Sequence, residues 1–235
     1  MTWIKICGTT SERDADIAIR AGANALGFVM AASPRQVTDT MAYSIGTLTP
    51  KEVERIGVFV NEEVKVVAQI ARFCKFTGVQ LHGDETAEHI AELRQLLPGV
   101  KILKSVTVEE LASKMPASGC RFPPRVRDNV PDNWLLDHRT ADKRGGTGQT
   151  FDWQRAQSLL RSAVQPVIVA GGLNPNNVGQ ALSMLHPWGV DVVSGVESFP
   201  GRKHPGAVAQ FIDAVRQFDS TNSAPPLRAR KGSQI

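Results

Sequence analysis

Cysteine is scarce in this chain. Cys7, Cys74 and Cys120 are odd in number and widely spaced, which leaves no disulfide framework and no pair with zinc-like spacing. Few, unpaired cysteines suit a reducing, cytoplasmic setting. Long apolar runs are missing too: none approaches the roughly 18 residues of a membrane span, and no membrane partner is expected. Met1 to Thr10 holds no apolar h-region, so no signal peptide is expected. A charge surplus is absent from the body of the chain. The net charge of +4 is local, because Ser220 onward carries three bases and no acid while the rest carries 24 bases against 23 acids. Three bases with no aromatic neighbour make a weak nucleic-acid patch, and no nucleic-acid partner is expected. Thr221 to Ile235 has little to bury, so the expected division is one domain over residues 1–219 and a disordered basic tail over 220–235.

What the chain does have is a repeated strand-turn-helix design. It is densest from Pro166 to Val178, PVIVAGGLNPNNV. Val167, Ile168 and Val169 are β-branched without polar alternation, as in a parallel strand buried on both faces. Gly171 and Gly172 allow a tight turn, Asn174 reads as a helix N-cap, and Pro175 reads as a first helical residue. A helix that begins there points free N–H groups over the strand end, which makes an anion site. The same design recurs with strands at WIKIC (from Trp3), ALGFVM (Ala25), RIGVFV (Arg55), GVQL (Gly78), VKILKSV (Val100), WLLD (Trp134) and VDVV (Val190). Only the unit from Ser113 to Asn133 breaks the rhythm, with Pro116, Pro123, Pro124 and Pro131 forbidding a long helix. With 42% hydrophobic and 21% charged residues the composition is that of a globular domain. Eight such units, joined by right-handed crossovers, predict an α/β fold in which a (βα)₈ TIM barrel forms a single domain; an open doubly wound sheet is the alternative.

Barrel active sites lie at the C-terminal ends of the strands. Reading the residues just after each strand gives a rim of Cys7, Ser33, Arg35, Asn61, His82, Asp84, Asp137, Gly146, Thr147, Gly148, Gly171, Gly172, Ser194 and Gly195, with Asp191 beside it as a further pocket candidate. The glycine turns after the seventh and eighth strands suit a phosphate held by backbone N–H groups, and the loop from Gly145 to Gly148 can close over it. Arg35 offers a guanidinium fork to a carboxylate. Cys7 and Asp137, a thiol and a carboxyl on different strands, can flank a small substrate. Each residue has a plainer alternative: Cys7 as core, Asp137 as a cap or ion-pair partner, Arg35 paired with a nearby acid, His82 as a structural imidazole. The set points to a substrate with a phosphate at one end, a carboxylate at the other, and acid–base chemistry between.

In this order KICG, GFVMAASPR, GVFVN, VQLHGDE, LLD, GGTGQTFDW, AGGLNPNNV and VDVVSGVES followed by PGRK closely resemble the N-(5′-phosphoribosyl)anthranilate isomerases of tryptophan biosynthesis, over nearly Met1 to Phe218. The resemblance implies a (βα)₈ barrel, monomer or homodimer, that needs no metal or organic cofactor. It implies an Amadori rearrangement of phosphoribosylanthranilate to 1-(2-carboxyphenylamino)-1-deoxyribulose 5-phosphate. Under it Asp137 matches the general acid, which must hold a proton near neutral pH, and Cys7 the general base, which needs a thiolate. Arg35 matches the ligand of the anthranilate carboxylate. Gly171, Gly172 and Gly195 match the phosphate site; Gly146, Thr147, Gly148 and Ser194 are further phosphate candidates, and His82 and Asp191 are pocket candidates. The sequence departs from the family pattern at the proline-rich segment, at Val193 and at His138. Other readings are a phosphosugar epimerase, an indole-glycerol-phosphate synthase, or a non-catalytic phosphate-ligand binder. A metal epimerase wants more rim His and Asp ligands, and the synthase wants a rim lysine with a glutamate partner, whereas Lys5 and Lys104 lie inside strands.

Overall fold

The computed structural model describes residues 1–114, 129–137 and 152–222. In chain order it contains β1 (Trp3–Cys7), α1 (Glu12–Ala21), β2 (Ala25–Val29), α2 (Asp39–Leu48), β3 (Glu54–Phe59), α3 (Val64–Phe73), β4 (Gly78–Leu81) and α4 (Ala87–Leu96). These are followed by β5 (Lys101–Val106), α5 (Val108–Lys114), β6 (Asn133–Leu136), α6 (Trp153–Ser162), β7 (Val167–Val169), α7 (Val178–Leu185) and β8 (Gly189–Val192). The described residues close with a 3₁₀ turn (Ser194–Val196), a hairpin of β9 (Glu197–Phe199) and β10 (Arg202–Lys203), and α8 (Pro205–Asn222). β1 to β8 are parallel neighbours in chain order and close into a barrel, with β8 returning to β1 in a register that sets Lys5 beside Asp191.

Alternation along each strand makes two cores. In β1, Ile4 and Ile6 point outward into the shell shared with the helices, while Trp3, Lys5 and Cys7 line the interior. The lower interior is apolar, filled by Trp3, Ala25, Ile56, Leu103, Leu135 and Ile168. The layers above it are polar, with Lys5, Gln80, Asp191 and Asp137 all buried. That polarity gradient places the chemistry at the C-terminal mouth.

Caps follow local chemistry. Ser11 accepts from the Asp14 amide at the start of α1, and Gly22 ends that helix at φ 97°. Thr38 caps α2, Thr86 caps α4 and Asp152 caps α6. α8 buries Val208, Phe211, Ile212 and Val215, one helical stripe, and its Arg216 and Asp219 bind the backbone of Thr2, tying the two ends of the barrel together.

Three expectations change. Asn174 does not cap a helix beginning at Pro175, since α7 begins at Val178 with Asn177 in the cap position. The asparagines bond locally instead: Asn174 Oδ1 accepts from the Asn176 amide (2.9 Å), Asn177 Oδ1 accepts from the Asn174 amide (2.8 Å), and Asn177 Nδ2 donates to the Gly172 carbonyl (2.9 Å). That network holds one turn of irregular chain before the helix. The 3₁₀ turn and the β9–β10 hairpin fill a stretch where the sequence suggested only a connection. α8 runs to Asn222, past the expected domain end. The rest of the tail, most of the proline-rich segment, His138 and Gly146, Thr147 and Gly148 lie outside the described residues.

Candidate active site

The thiol half is built from β1, β2 and β8. Cys7 ends β1 with its side chain in the barrel, and its register partner on β2 is Gly27. A Cβ on Gly27 would sit 2.5 Å from the Cys7 sulfur, so the thiol occupies the space that a larger residue would fill. Lys5 lies two residues back on the same face, fully buried, with Nζ 2.9 Å from Asp191 Oδ1. Below the rim, Asp191 therefore acts first as the counter-charge of Lys5. Lys203, brought in by β10, donates from Nζ to the Cys7 carbonyl and pairs with Glu197 Oε1 at 3.0 Å. Burial pushes the Cys7 thiol up from its ordinary range; Lys5 and Lys203 oppose this, and Asp191 adds to it. The neighbouring cations therefore do not outweigh burial, which favours the protonated thiol over the thiolate. Burial also disfavours the Lys5 ammonium, but Asp191 and Cys7 together hold it above the ordinary lysine range.

The carboxyl half is built from β4, β5 and β6. Asp137 follows β6, and its amide donates to Val106 at 3.0 Å. His82 follows β4, with Nε2 3.3 Å from Asp137 Oδ2 and Nδ1 2.9 Å from Gln80 Nε2. The loop that carries His82 is pinned from outside the barrel. Glu85 accepts from the amides of Asn61 and Gly83 and pairs with Lys104 at 3.0 Å, and Lys104 also donates to the Gly83 carbonyl. Burial works against the Glu85 carboxylate, yet Lys104 and the backbone amides of Asn61 and Glu85 itself hold it below the usual range.

Between the halves, Gly171 and Gly172 adopt φ of 76° and 65°, the left-handed region, at the end of β7. A Cβ on Gly195 would fall 1.9 Å from the Leu173 carbonyl oxygen, so only glycine lets the turns after β7 and β8 pack backbone to backbone. Ser194 and Gly195 open the 3₁₀ turn, the position where barrels often hold phosphate. Arg35 is not an open fork. Its Nε and Nη2 bind Glu197 at 2.7 to 3.0 Å, leaving Nη1 without an acceptor among the described residues.

The structure thus gathers Cys7, Arg35, His82, Asp137, Gly171, Gly172, Asp191, Ser194 and Gly195 at one mouth. Sequence reasoning missed Glu197, Lys203 and Gly27. GVES and PGRK did carry Glu197 and Lys203, but nothing in their spacing showed that a hairpin would fold them under the rim. The lysines a synthase would need are occupied elsewhere: Lys5 sits below the rim against Asp191, and Lys104 faces out of the barrel against Glu85. No helix among the described residues is long and apolar enough to cross a membrane.

Eight parallel strands with acid–base side chains gathered at their C-terminal mouth define the class of the molecule, a (βα)₈-barrel enzyme. The family model for N-(5′-phosphoribosyl)anthranilate (PRA) isomerase matches residues 4–214. The chain belongs to that family. It is 39% identical over 228 residues to the N-(5′-phosphoribosyl)anthranilate isomerase of Moorella thermoacetica, covering 96% of this chain and 94% of the relative. The crystal structure of the Thermotoga maritima isomerase superposes with a TM-score of 0.78 at 33% identity, covering 92% of this chain and 100% of that one. A further isomerase structure, in complex with reduced 1-(o-carboxyphenylamino)-1-deoxyribulose 5-phosphate, has a TM-score of 0.73 at 30% identity, with 92% and 100% covered.

Proposed function

We propose that the chain isomerises phosphoribosylanthranilate, with Asp137 as general acid and Cys7 as general base. Asp137 gives its proton to the furanose ring oxygen as the C1′–O bond breaks and the anilino nitrogen lone pair closes C1′=N. Deprotonated Cys7 then takes the C2′ proton; the freed electrons form C1′=C2′, and the C=N pair returns to nitrogen. The resulting enolamine tautomerises to the ketone, 1-(2-carboxyphenylamino)-1-deoxyribulose 5-phosphate, and one proton passed from thiol to carboxyl resets the enzyme. The observation that carries this reading is that Cys7 and Asp137 face one barrel mouth, three strands apart, in a chain of this family.

The remaining roles follow the shape of the substrate. Backbone N–H groups of Gly171, Gly172, Ser194 and Gly195 take the phosphate, and Gly146, Thr147 and Gly148 are further candidates. Arg35 meets the anthranilate carboxylate through Nη1; with Lys203 and Glu197 it forms a cluster of two cations and one anion, whose net positive charge suits a carboxylate. His82 and Asp191 line the pocket. Lys5, held charged by Asp191, sustains the thiolate fraction from which Cys7 works. The free thiols of Cys7 and Cys74 suit a cytoplasmic, reducing setting. The test is complementation of a tryptophan auxotroph lacking this isomerase, together with a fluorescence assay of anthranilate-sugar consumption. Growth and turnover are expected, and failure of the purified chain to consume the substrate overturns the reading.

A further inference from the structure

Gln80 is the one member of the carboxyl half that the reaction above leaves without a task. It sits on β4 inside the barrel, buried at 1% exposure, and its side-chain carbonyl Oε1 has no partner among the described residues. The amide is anchored at its other end. That end is Nε2, 2.9 Å from His82 Nδ1. An amide nitrogen only donates, so Nδ1 must present its lone pair, and the ring proton is then on Nε2. Nε2 lies 3.3 Å from Asp137 Oδ2, within ion-pair distance but short of a formed hydrogen bond. His82 is fixed from its backbone as well, since its amide donates to the Phe59 carbonyl at 2.8 Å, and its loop is pinned by Glu85 and Lys104.

We propose that Gln80 and His82 are positioning residues for the acid: Gln80 fixes the tautomer of His82, and the neutral imidazole presents Nε2–H to the carboxylate that forms as Asp137 delivers its proton. This rests on the reading of Asp137 as general acid. The proton balance is simple. The proton that reaches the furanose oxygen comes from Asp137, none leaves His82, and the negative charge left on Asp137 is met by the Nε2–H of an imidazole held 3.3 Å away. A donor oriented before charge develops stabilises the transition state without reorganising. The effect belongs to turnover, because in the reaction proposed above the charge on Asp137 develops only as its proton leaves.

The test combines steady-state kinetics of the full chain with the ¹⁵N signature of the His82 ring, identified by its loss in the variants. His82→Met, which fills the space without a donor, is expected to lower kcat about ten- to hundredfold, the size of a hydrogen bond to a charged group, with KM within about twofold. His82→Gln, which restores an N–H, is expected to recover most of the loss. Gln80→Met is expected to lower kcat severalfold and to turn an Nε2–H ring signal into a mixture of tautomers. Should His82→Met fail to fold, the wild-type ring signal and the Gln80→Met kinetics decide. A wild-type kcat in His82→Met, a rise in KM alone, or an Nδ1–H tautomer in the wild type overturns the proposal. Asp137→Asn separates the two layers of argument. If it remains active, the assignment of the acid fails; if it is inactive while His82→Met is unchanged, only the present inference fails.

Discussion

The two halves of the mouth each contain a buried lysine–carboxylate pair of nearly equal length, Lys5–Asp191 at 2.9 Å and Lys104–Glu85 at 3.0 Å, but the pairs do different work. Lys5 shares a strand face with Cys7, so its charge lies inside the barrel beside the sulfur. Lys104 points out of the barrel, and its partners are the loop backbone and Glu85. Strand alternation alone makes the difference: a cation two residues from a reacting group tunes it electrostatically, whereas one on the outer face can only hold its neighbour's loop. The thiol is thus adjusted by charge and the carboxyl by position. Removing either of the two proposed reacting groups is the most severe perturbation of this arrangement. Cys7→Ala and Asp137→Asn are each expected to lower kcat by about 10²–10⁴, with unchanged circular dichroism. Near-wild-type turnover in either variant would reassign that half.

Breaking one pair at a time sharpens the contrast. Lys5→Met and Lys104→Met each strand a buried carboxylate, and each is expected to cost about 3–5 kcal/mol in urea unfolding. They should part company in the pH–rate profile. Without Lys5, burial and Asp191 push the Cys7 thiol up with less opposition, so the rise of kcat/KM with pH moves to higher pH. Without Lys104 that rise should stay in place. Equal shifts in both variants would refute the division between charge and position.

Much of this was legible in the sequence, for reasons that also explain the gaps. β-branched runs ended by glycine marked the strands because a strand buried on both faces tolerates little else, and β1 and β7 were read to the residue. Cys7, His82 and Asp137 could be placed at the mouth because they end strands. What stayed hidden depends on which residues fold back. Asn174 carries the signature of a cap, yet Asn177 takes its amide while Asn174 Oδ1 takes that of Asn176, and α7 begins only at Val178. Glu197 and Lys203 reach the site only through the β9–β10 hairpin, and strands of three and two residues give no periodicity to read. Arg35 reads as a rim cation in the sequence, but its occupation by Glu197 comes from a residue 162 positions away.

That occupation gives a smaller effect, on binding. Arg35→Met is expected to raise KM about tenfold, the size of a charge-assisted hydrogen bond, with kcat little changed. Glu197→Gln frees the Arg35 fork but also removes the partner of Lys203, which holds the Cys7 carbonyl. It should therefore lower kcat while leaving KM equal or lower. A change in KM alone would mean that the hairpin serves the carboxylate end and not the thiol.

The smallest expected effect is the pH dependence of stability, where the halves should fail at opposite ends of the scale. Glu85 is held below its unfolded value of about 4.3, so the stability it contributes is complete above that pH and is lost as pH falls through its lower folded value. Cys7 is raised above its unfolded value of about 8.5, so its contribution is complete below that pH and is lost as pH rises toward the folded value. Cys74, raised to about 11 by burial, adds a second alkaline loss that a Cys7 variant leaves intact. Urea unfolding at pH 3, 7 and 10 separates these contributions. The deficit of Glu85→Gln relative to wild type should shrink from pH 7 to pH 3, because below about pH 4.3 the unfolded wild type takes up the proton and the carboxylate's advantage in the folded state declines. Cys7→Ser should gain on wild type between pH 7 and pH 10, because serine has no proton to lose there. If the Glu85→Gln deficit is constant with pH, the ionised pair does not hold the loop; if the Cys7→Ser difference is constant, the thiol is not buried deeply enough to resist ionisation.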